Sequence, residues 1–362
     1  MSNSFGSRGF GSRLTRRSFL SAAAGIGALT LAACGGAAGA SSASADSATS
    51  GADASSAASS VAPTKVSFVL DYSPNVNHTG IYVAMDKGWF AEEGIEVEVV
   101  PVPADGADAM IGSGGANMGV SYQDYIANNL ASSAPMPYTA VAALVQHNTS
   151  GIMSREEDGI TSARGMENHV YATWNMPIEQ ATIKQIVEAD GGDFSKVEMI
   201  PSTVTDEVSA LQSGQVDAIW VFYGWAGVAT EVAGLETDFF SFMDIDPVFD
   251  YYTPVIIGNT DWMAAHPEQA KAFLGALRKG YDFACDNPDA AADILLKAAP
   301  ELDEALVRAS QKYLSAEYRL DAEKWGEIDP DRWNAFYNWI NENNLFDAQI
   351  PENTGFTNDY LE

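Results

Sequence analysis

The sequence predicts an α/β protein built as two lobes around a ligand cleft. Strand and helix patterns alternate in two separate sets, over residues 65–100 and 170–222. About 300 residues follow a low-complexity N-terminal region, which suits two cores better than one. The stretch near 148–165 joins the two sets, and the chain returns near 245–256.

The first set opens with residues 65–70, Lys-Val-Ser-Phe-Val-Leu, an alternating β-rich run. A polar turn through Asp71, Pro74 and Asn77 follows, then a helix from His78 or Thr79 to about Lys87. Residues 95–100, Ile-Glu-Val-Glu-Val-Val, form the second strand, so the unit is βαβ and its strands are parallel. In the second set residues 170–173 are a short strand. Pro177 suits the start of a helix over 177–189. Residues 196–201 are a strand, 206–214 a helix closed by Gly214, and 217–222 a buried strand. After a strand at 255–257 the chain turns helical, over 266–287, 288–299, 301–315 and 329–343. The last helix carries Trp333, Phe336, Tyr337 and Ile340 on one stripe, the pattern of a core face.

The N-terminus reads as an export segment. Arg8, Arg13, Arg16 and Arg17 precede an apolar run of 15 residues from Phe19 to Ala33, and no acid precedes Asp46. That run is shorter than the roughly 20 residues a membrane span needs. Thr15-Arg16-Arg17-Ser18-Phe19-Leu20 reads as a twin-arginine signal, although Ser21 stands where the motif prefers Lys, so general secretory export stays open. Leu31-Ala32-Ala33-Cys34 reads as a lipoprotein cleavage box, with residues 1–33 removed and Cys34 lipidated. Residues 34–62 are Ala, Ser and Gly with few others, and cannot bury enough surface to order themselves. They read as a tether with a mean span on the order of 30 Å. The expected location is the outer face of a bacterial cell membrane.

The whole chain carries a formal charge of −30. Without the four N-terminal Arg it holds 15 basic residues against 49 acidic ones, or −34. Such a field argues against nucleic acid and anionic lipid, and favours a neutral or cationic small molecule. With Cys34 used for lipid, Cys285 stands alone and reads as a small hydrophobe on a helix. No Cys/His spacing suits a metal, and no cofactor is expected.

The run Asp71-Tyr72-Ser73-Pro74-Asn75-Val76-Asn77-His78-Thr79-Gly80, continuing to Gly88-Trp89-Phe90 and Glu93-Gly94-Ile95, resembles one family. It is similar to the substrate-binding proteins of ABC importers for thiamine pyrimidine precursors and riboflavin-like compounds, within a wider set that binds nitrate, sulfonates and taurine. Gly119-Val120-Ser121-Tyr122-Gln123, Gln212-Ser213-Gly214-Gln215-Val216-Asp217 and Phe356-Thr357-Asn358-Asp359-Tyr360 support it, over roughly residues 63–361. The resemblance implies a type II periplasmic-binding-protein fold, with one lobe at 63–150 plus 251–362 and the other at 151–250. It further implies a monomer without catalytic activity that delivers ligand to a permease and ATPase complex.

Strand ends at the cleft supply the candidate contacts. Asp71, Tyr72 and Asn75 offer a stacking face and groups that read ring nitrogens, and an Asx-turn would use the same residues structurally. His78 either donates to ligand or caps its helix. Ser121 and Tyr122 are expected on the second wall of the first lobe, with a helix cap as the bland use of Ser121. Trp174 and Asn175 stand at a strand-to-helix turn of the second lobe, and Tyr223 and Trp225 follow its last buried strand. Ala226 stands where relatives carry an acid after the aromatic, which weakens a specific thiamine-pyrimidine assignment; Glu231 lies further along.

The resulting expectation is an extracytoplasmic receptor for a small heteroaromatic nutrient. A sulfonate, nitrate or taurine receptor is the alternative on the same fold; none of Arg155, Arg164, Arg278, Arg308, Arg319 and Arg332 lies in an expected cleft loop. A yeast-type pyrimidine synthase shares the fold, but this sequence lacks the Cys-rich segment and cytoplasmic address that such an enzyme implies.

Overall fold

A computed structural model describes residues 62–201, 204 and 206–361. The expected signal peptide, Cys34 and the tether up to residue 61 lie outside the described residues.

The first sheet begins with β1 (Thr64–Val69), crosses through α1 (Thr79–Asp86) and α2 (Trp89–Glu92) to β2 (Ile95–Val100), then through α3 (Ala107–Gly112) to β3 (Met118–Ser121). After α4 (Gln123–Leu130) comes β4 (Tyr138–Ala143). The second sheet takes β5 (Ser150–Arg155), β6 (Val170–Thr173), α5 (Pro177–Ala189), β7 (Glu198–Pro201), α6 (Glu207–Gln212) and β8 (Ala218–Phe222). A π-helical turn at Tyr223–Gly227, α7 (Val228–Val232), β9 (Thr237–Ser241) and α8 (Phe242–Ile245) complete it. The chain then returns to the first sheet as β10 (Val255–Asn259) and finishes in α9 (Thr260–Ala265), α10 (Pro267–Asp286), α11 (Pro288–Ala298), α12 (Glu304–Glu317) and α13 (Pro330–Glu342).

Strand order is β2-β1-β3-β10-β4 in one sheet and β7-β6-β8-β5-β9 in the other. In both, the first three strands are parallel and the fourth is antiparallel to its neighbours. The βαβ units are therefore parallel as expected, but each sheet is mixed. The expected joint near 148–165 contains β5, an inner strand; β4 and β9 are also additional to the sequence reading. The chain passes between the sheets twice, before β5 and before β10.

Local chemistry sets the helix ends. Pro177, Pro267, Pro288 and Pro330 each stand in a first helical turn. Helix α12 starts at Glu304 rather than 301 because the Asp303 carboxylate accepts from the Leu306 N–H at 2.8 Å. Strand β7 starts at Glu198 rather than 196 because Asp193 caps a 3-10 turn at Phe194–Lys196. Trp333, Phe336, Tyr337 and Ile340 are all buried, as the stripe predicts. Cys285 is partly buried against the first core, and burial pushes its thiol up to about 11.

Candidate ligand-binding site

In each sheet the chain reverses its direction of travel once. Strand β2 lies on one side of β1 and β3 on the other; β7 and β8 flank β6 in the same way. Loops leaving such neighbouring strands part from each other and leave a crevice at the carboxyl ends. A cavity of about 480 Å³ sits there, lined from both sheets. The loops after β1, β2 and β3 bring Asp71, Tyr72, Asn75, Asn77, Asp108, Tyr122, Asp124 and Tyr125. Those after β6, β7 and β8 bring Trp174, Met176, Glu179, Glu207, Trp225 and Ala226, with Trp220 and Phe222 from β8 itself. Tyr251 and Thr253 come from the return pass.

The first wall is braced by Asp71. Its Oδ1 lies 2.7 Å from His78 Nε2, and its Oδ2 accepts from the Tyr122 hydroxyl at 2.5 Å. His78 Nδ1 accepts from the Asn75 N–H at 3.1 Å, so the ring proton is on Nε2 and points at Asp71. Burial pushes the Asp71 carboxyl up, but the hydrogen bonds from His78 and Tyr122 outweigh it and hold the group below its usual value. Asn75 accepts from the Asn77 N–H at 2.9 Å, which closes the turn. Tyr72 projects from this braced turn with 46 % of its surface exposed.

One carboxylate organises the opposite wall. Glu179, on the first turn of α5, accepts from the Tyr171 hydroxyl at 2.7 Å, the Thr173 hydroxyl at 2.9 Å and the backbone N–H groups of Trp174 and Met176 at 3.0 and 3.2 Å. Asn175 bridges them in the left-handed region at φ 61°. This arrangement presents Trp174, 46 % exposed, beside Trp220 at a centroid separation of 5.5 Å. The Trp220 indole N–H has no partner among the described residues. The two walls meet where Tyr122 stacks on Phe222 at 6.1 Å and 20°.

Among the described residues the cavity lining holds five carboxylates, Asp71, Asp108, Asp124, Glu179 and Glu207, and no Lys or Arg. Asp108 accepts from the Ser121 hydroxyl at 2.7 Å, and burial still leaves its carboxyl above the usual value. Burial raises Asp124 to about 7 and also lifts Glu207. The surroundings are aromatic and acidic, which suits a flat ligand that donates hydrogen bonds or carries positive charge.

Of the residues singled out in the sequence, the structure brings Asp71, Tyr72, Asn75, Tyr122, Trp174 and Trp225 to the cavity. Four lie outside its lining. His78 is fully buried behind Asp71. Ser121 is buried and turned to Asp108. Asn175 supports the loop, its side chain accepting from Gln180 at 3.3 Å. Tyr223 packs on Phe239 and Tyr313 and donates to Glu231, which takes that acid away from the site too. Ala226 lines the cavity as the sequence places it, and the cavity's acids come from other loops. The sequence reading omitted Asp108, Asp124, Tyr125, Glu179, Glu207, Trp220, Phe222 and Tyr251. Asp108 and Glu207 follow the ends of β2 and β7, so the strand-end rule applied to every strand would have found them.

Comparison with known proteins agrees with this architecture. A formylaminopyrimidine-binding protein of Halalkalibacterium halodurans is 28 % identical over 304 residues, covering 81 % of this chain and 89 % of the relative. A 4-amino-5-hydroxymethyl-2-methylpyrimidine phosphate synthase of Aspergillus parasiticus is 23 % identical over 325 residues, covering 82 % and 87 %. The crystal structure of an alkanesulfonate-binding protein from Xanthomonas axonopodis pv. citri, bound to MOPS, superposes with a TM-score of 0.61 at 10 % identity, covering 82 % of this chain and 99 % of the other. The fold is thus that of the periplasmic binding proteins, two α/β lobes around a cleft. The model of the family described as NMT1/THI5 like matches residues 75–291, more than half of the sequence, and this protein belongs to that family.

Proposed function

We propose that this protein is the extracytoplasmic substrate-binding component of an ABC importer, and that it captures a small aminopyrimidine-type heteroaromatic compound. The observation that carries the reading is the cavity itself: aromatic faces from both lobes, carboxylates among them, and no cationic side chain in the described lining. Of the ten contacts proposed from the sequence, Asp71, Tyr72, Asn75, Tyr122, Trp174 and Trp225 are kept, joined by Asp124, Glu207 and Trp220. The relative that binds formylaminopyrimidine supports this ligand class. An anion receptor is less favoured, because sulfonate or nitrate would enter a site of five carboxylates. A binding role is favoured over a synthase role because His78 and Asp71, the one buried His–carboxylate pair at the cleft among the described residues, hold each other and the turn.

In the same reading Cys34 carries lipid, residues 34–62 tether the domain, and the lobes are residues 63–150 plus 251–362 and residues 151–250. The monomer hands its ligand to a permease. Ligand binding is tested by thermal shift of the purified protein against aminopyrimidines, thiamine, riboflavin, taurine and nitrate, because stabilisation follows occupancy of the folded state. A rise in Tm with an aminopyrimidine is expected. A rise with taurine or nitrate and none with any heteroaromatic refutes the assignment. Lipidation is tested by mass spectrometry of the membrane-extracted protein, with Cys34→Ala expected to release it from the membrane.

A further inference from the structure

Three of the five cavity carboxylates are already engaged by the protein's own side chains: Asp71 by His78 and Tyr122, Asp108 by Ser121, and Glu179 by Tyr171 and Thr173. No side chain donates to Asp124 or Glu207 among the described residues. The two differ in setting. Glu207 opens α6, beside Tyr72, where Asp206 is exposed. Asp124 lies on the first turn of α4, receiving only backbone N–H groups, its own and that of Tyr125. The groups that face it are Asp108 from α3, Tyr122 just before its own helix and Tyr125 on it, Tyr251 from the return pass and Tyr337 from α13. Four are phenols and one is a carboxyl held above its usual value. None supplies positive charge, so an ionised Asp124 has no cationic partner in the lining.

We propose that Asp124 selects a weak heteroaromatic base and binds it by transferring its carboxyl proton to a ring nitrogen of the ligand. This rests on the aminopyrimidine reading above and adds its mechanism of recognition. The O–H bond of Asp124 breaks and an N–H bond forms on the ring. The result is a carboxylate paired with a heteroaryl cation, and an adjacent exocyclic amino group donates to the second oxygen. The pair is bidentate and charge-assisted, and no proton enters or leaves the complex overall. Asp124 thereby fills the need left by Ala226, from the opposite lobe. A burial-raised carboxyl in a cleft is suited to this, because a large share of it keeps its proton up to about pH 7. Once the pH rises above that range, Asp124 is ionised beforehand and the complex must take its proton from water. Affinity then falls by roughly tenfold per pH unit.

The test is isothermal titration calorimetry of the purified full-length protein with 4-amino-5-hydroxymethyl-2-methylpyrimidine, from about pH 6 to about pH 9, in two buffers of different ionisation enthalpy at each pH. Expected are uptake of about one proton at the alkaline end, little near the acidic end, and the tenfold-per-unit slope above neutrality. Asp124→Asn should lose the slope and Glu207→Gln should keep it. Binding that is flat with pH and takes up no proton overturns the proton transfer while leaving the aminopyrimidine assignment intact. A slope lost in Glu207→Gln and kept in Asp124→Asn overturns the choice of residue. No binding at any pH overturns both readings. Should Asp124→Asn fail to fold, proton uptake by the wild-type protein decides the transfer, and a slope lost in Glu207→Gln still overturns the choice of residue.

Discussion

His147 Nδ1 stands 2.6 Å from Asp250 Oδ2 and so joins the two chain passes that run between the sheets. The same ring reaches Asp321 through Nε2 at 3.0 Å, beyond the end of α12. The Asn148 side chain donates to the Phe249 carbonyl at 2.8 Å beside it. The hydrogen bond to Asp250 raises the His147 pKa above its usual value, against a smaller opposing effect of burial. A raised folded-state value means stabilisation that is complete below the unfolded value and is lost as pH rises through the folded one. His147→Gln should therefore lower Tm most below about pH 6.5, by an amount worth roughly 1–2 kcal/mol, and much less at about pH 9. Equal losses at both pH values would show that the charge of the ring contributes nothing.

Asp124 shifts the stability of the empty protein with pH in the same direction, through the cost of ionising a buried acid rather than through a favourable pair. Its folded value is lifted by burial to about 7, so the folded state binds a proton that the unfolded state releases over the interval between the two values. Stability contributed this way is present at acidic pH and is lost as pH rises toward about 7. Asp124→Asn should stabilise the ligand-free protein above neutral pH, by roughly 2–4 kcal/mol, and change little near pH 4. Urea melts at the two pH values check the sign.

Glu179 is a buried carboxylate with four donors aimed at it. Glu179→Ala leaves two hydroxyls and two N–H groups without their acceptor, and should cost about 3–5 kcal/mol of stability. It should also weaken ligand binding, since the Trp174 loop loses its anchor. Chemical denaturation with parallel titration measures both.

Trp174 and Tyr72 are each 46 % exposed and project into the cavity. Truncating either to Ala should leave Tm within a few degrees of wild type. Ligand affinity should fall by roughly 1–2 kcal/mol for each, about the worth of a lost aromatic stack. An affinity unchanged in both variants would remove stacking from the model.

Gly280 lies where α10 crosses α1 with almost no space. A Cβ there would stand 2.0 Å from the Gly80 carbonyl oxygen, which is backbone and cannot swing aside. Gly280→Ala should push the two helices apart and cost about 2–3 kcal/mol. Gly275→Ala, on the same helix with open space around it, should be neutral or slightly stabilising.

Much of this was legible because its signals are local. The opening strand, turn and helix, the proline-started helices and the strand ends at Asp71, Tyr122, Trp174 and Trp225 follow from patterns within a few residues. Strand β5 was harder, because an antiparallel inner strand is defined by neighbours far away in sequence, whereas β10, of the same kind, shows its apolar run at 255–257. Strand β4 is Ala-rich, and Ala carries little β preference. Tyr223 and Trp225 sit two residues apart, where an ordinary strand puts both on one face. The π-helical turn at Tyr223–Gly227 breaks that register, so Trp225 reaches the cavity and Tyr223 faces Phe239. Glu179 escaped notice because an acid on the first turn of a helix reads as ordinary helix chemistry.

The doubled connection between the sheets sets how this molecule can move. Two peptide segments tied side by side at His147 and Asp250 define a line, and bending both segments together allows rotation about that line at low cost. Sliding one half along the other would stretch one segment while it slackens the other. Opening and shutting thus reduce to one degree of freedom. A single distance, measured between labels placed on opposite lips of the cleft, would follow the whole motion.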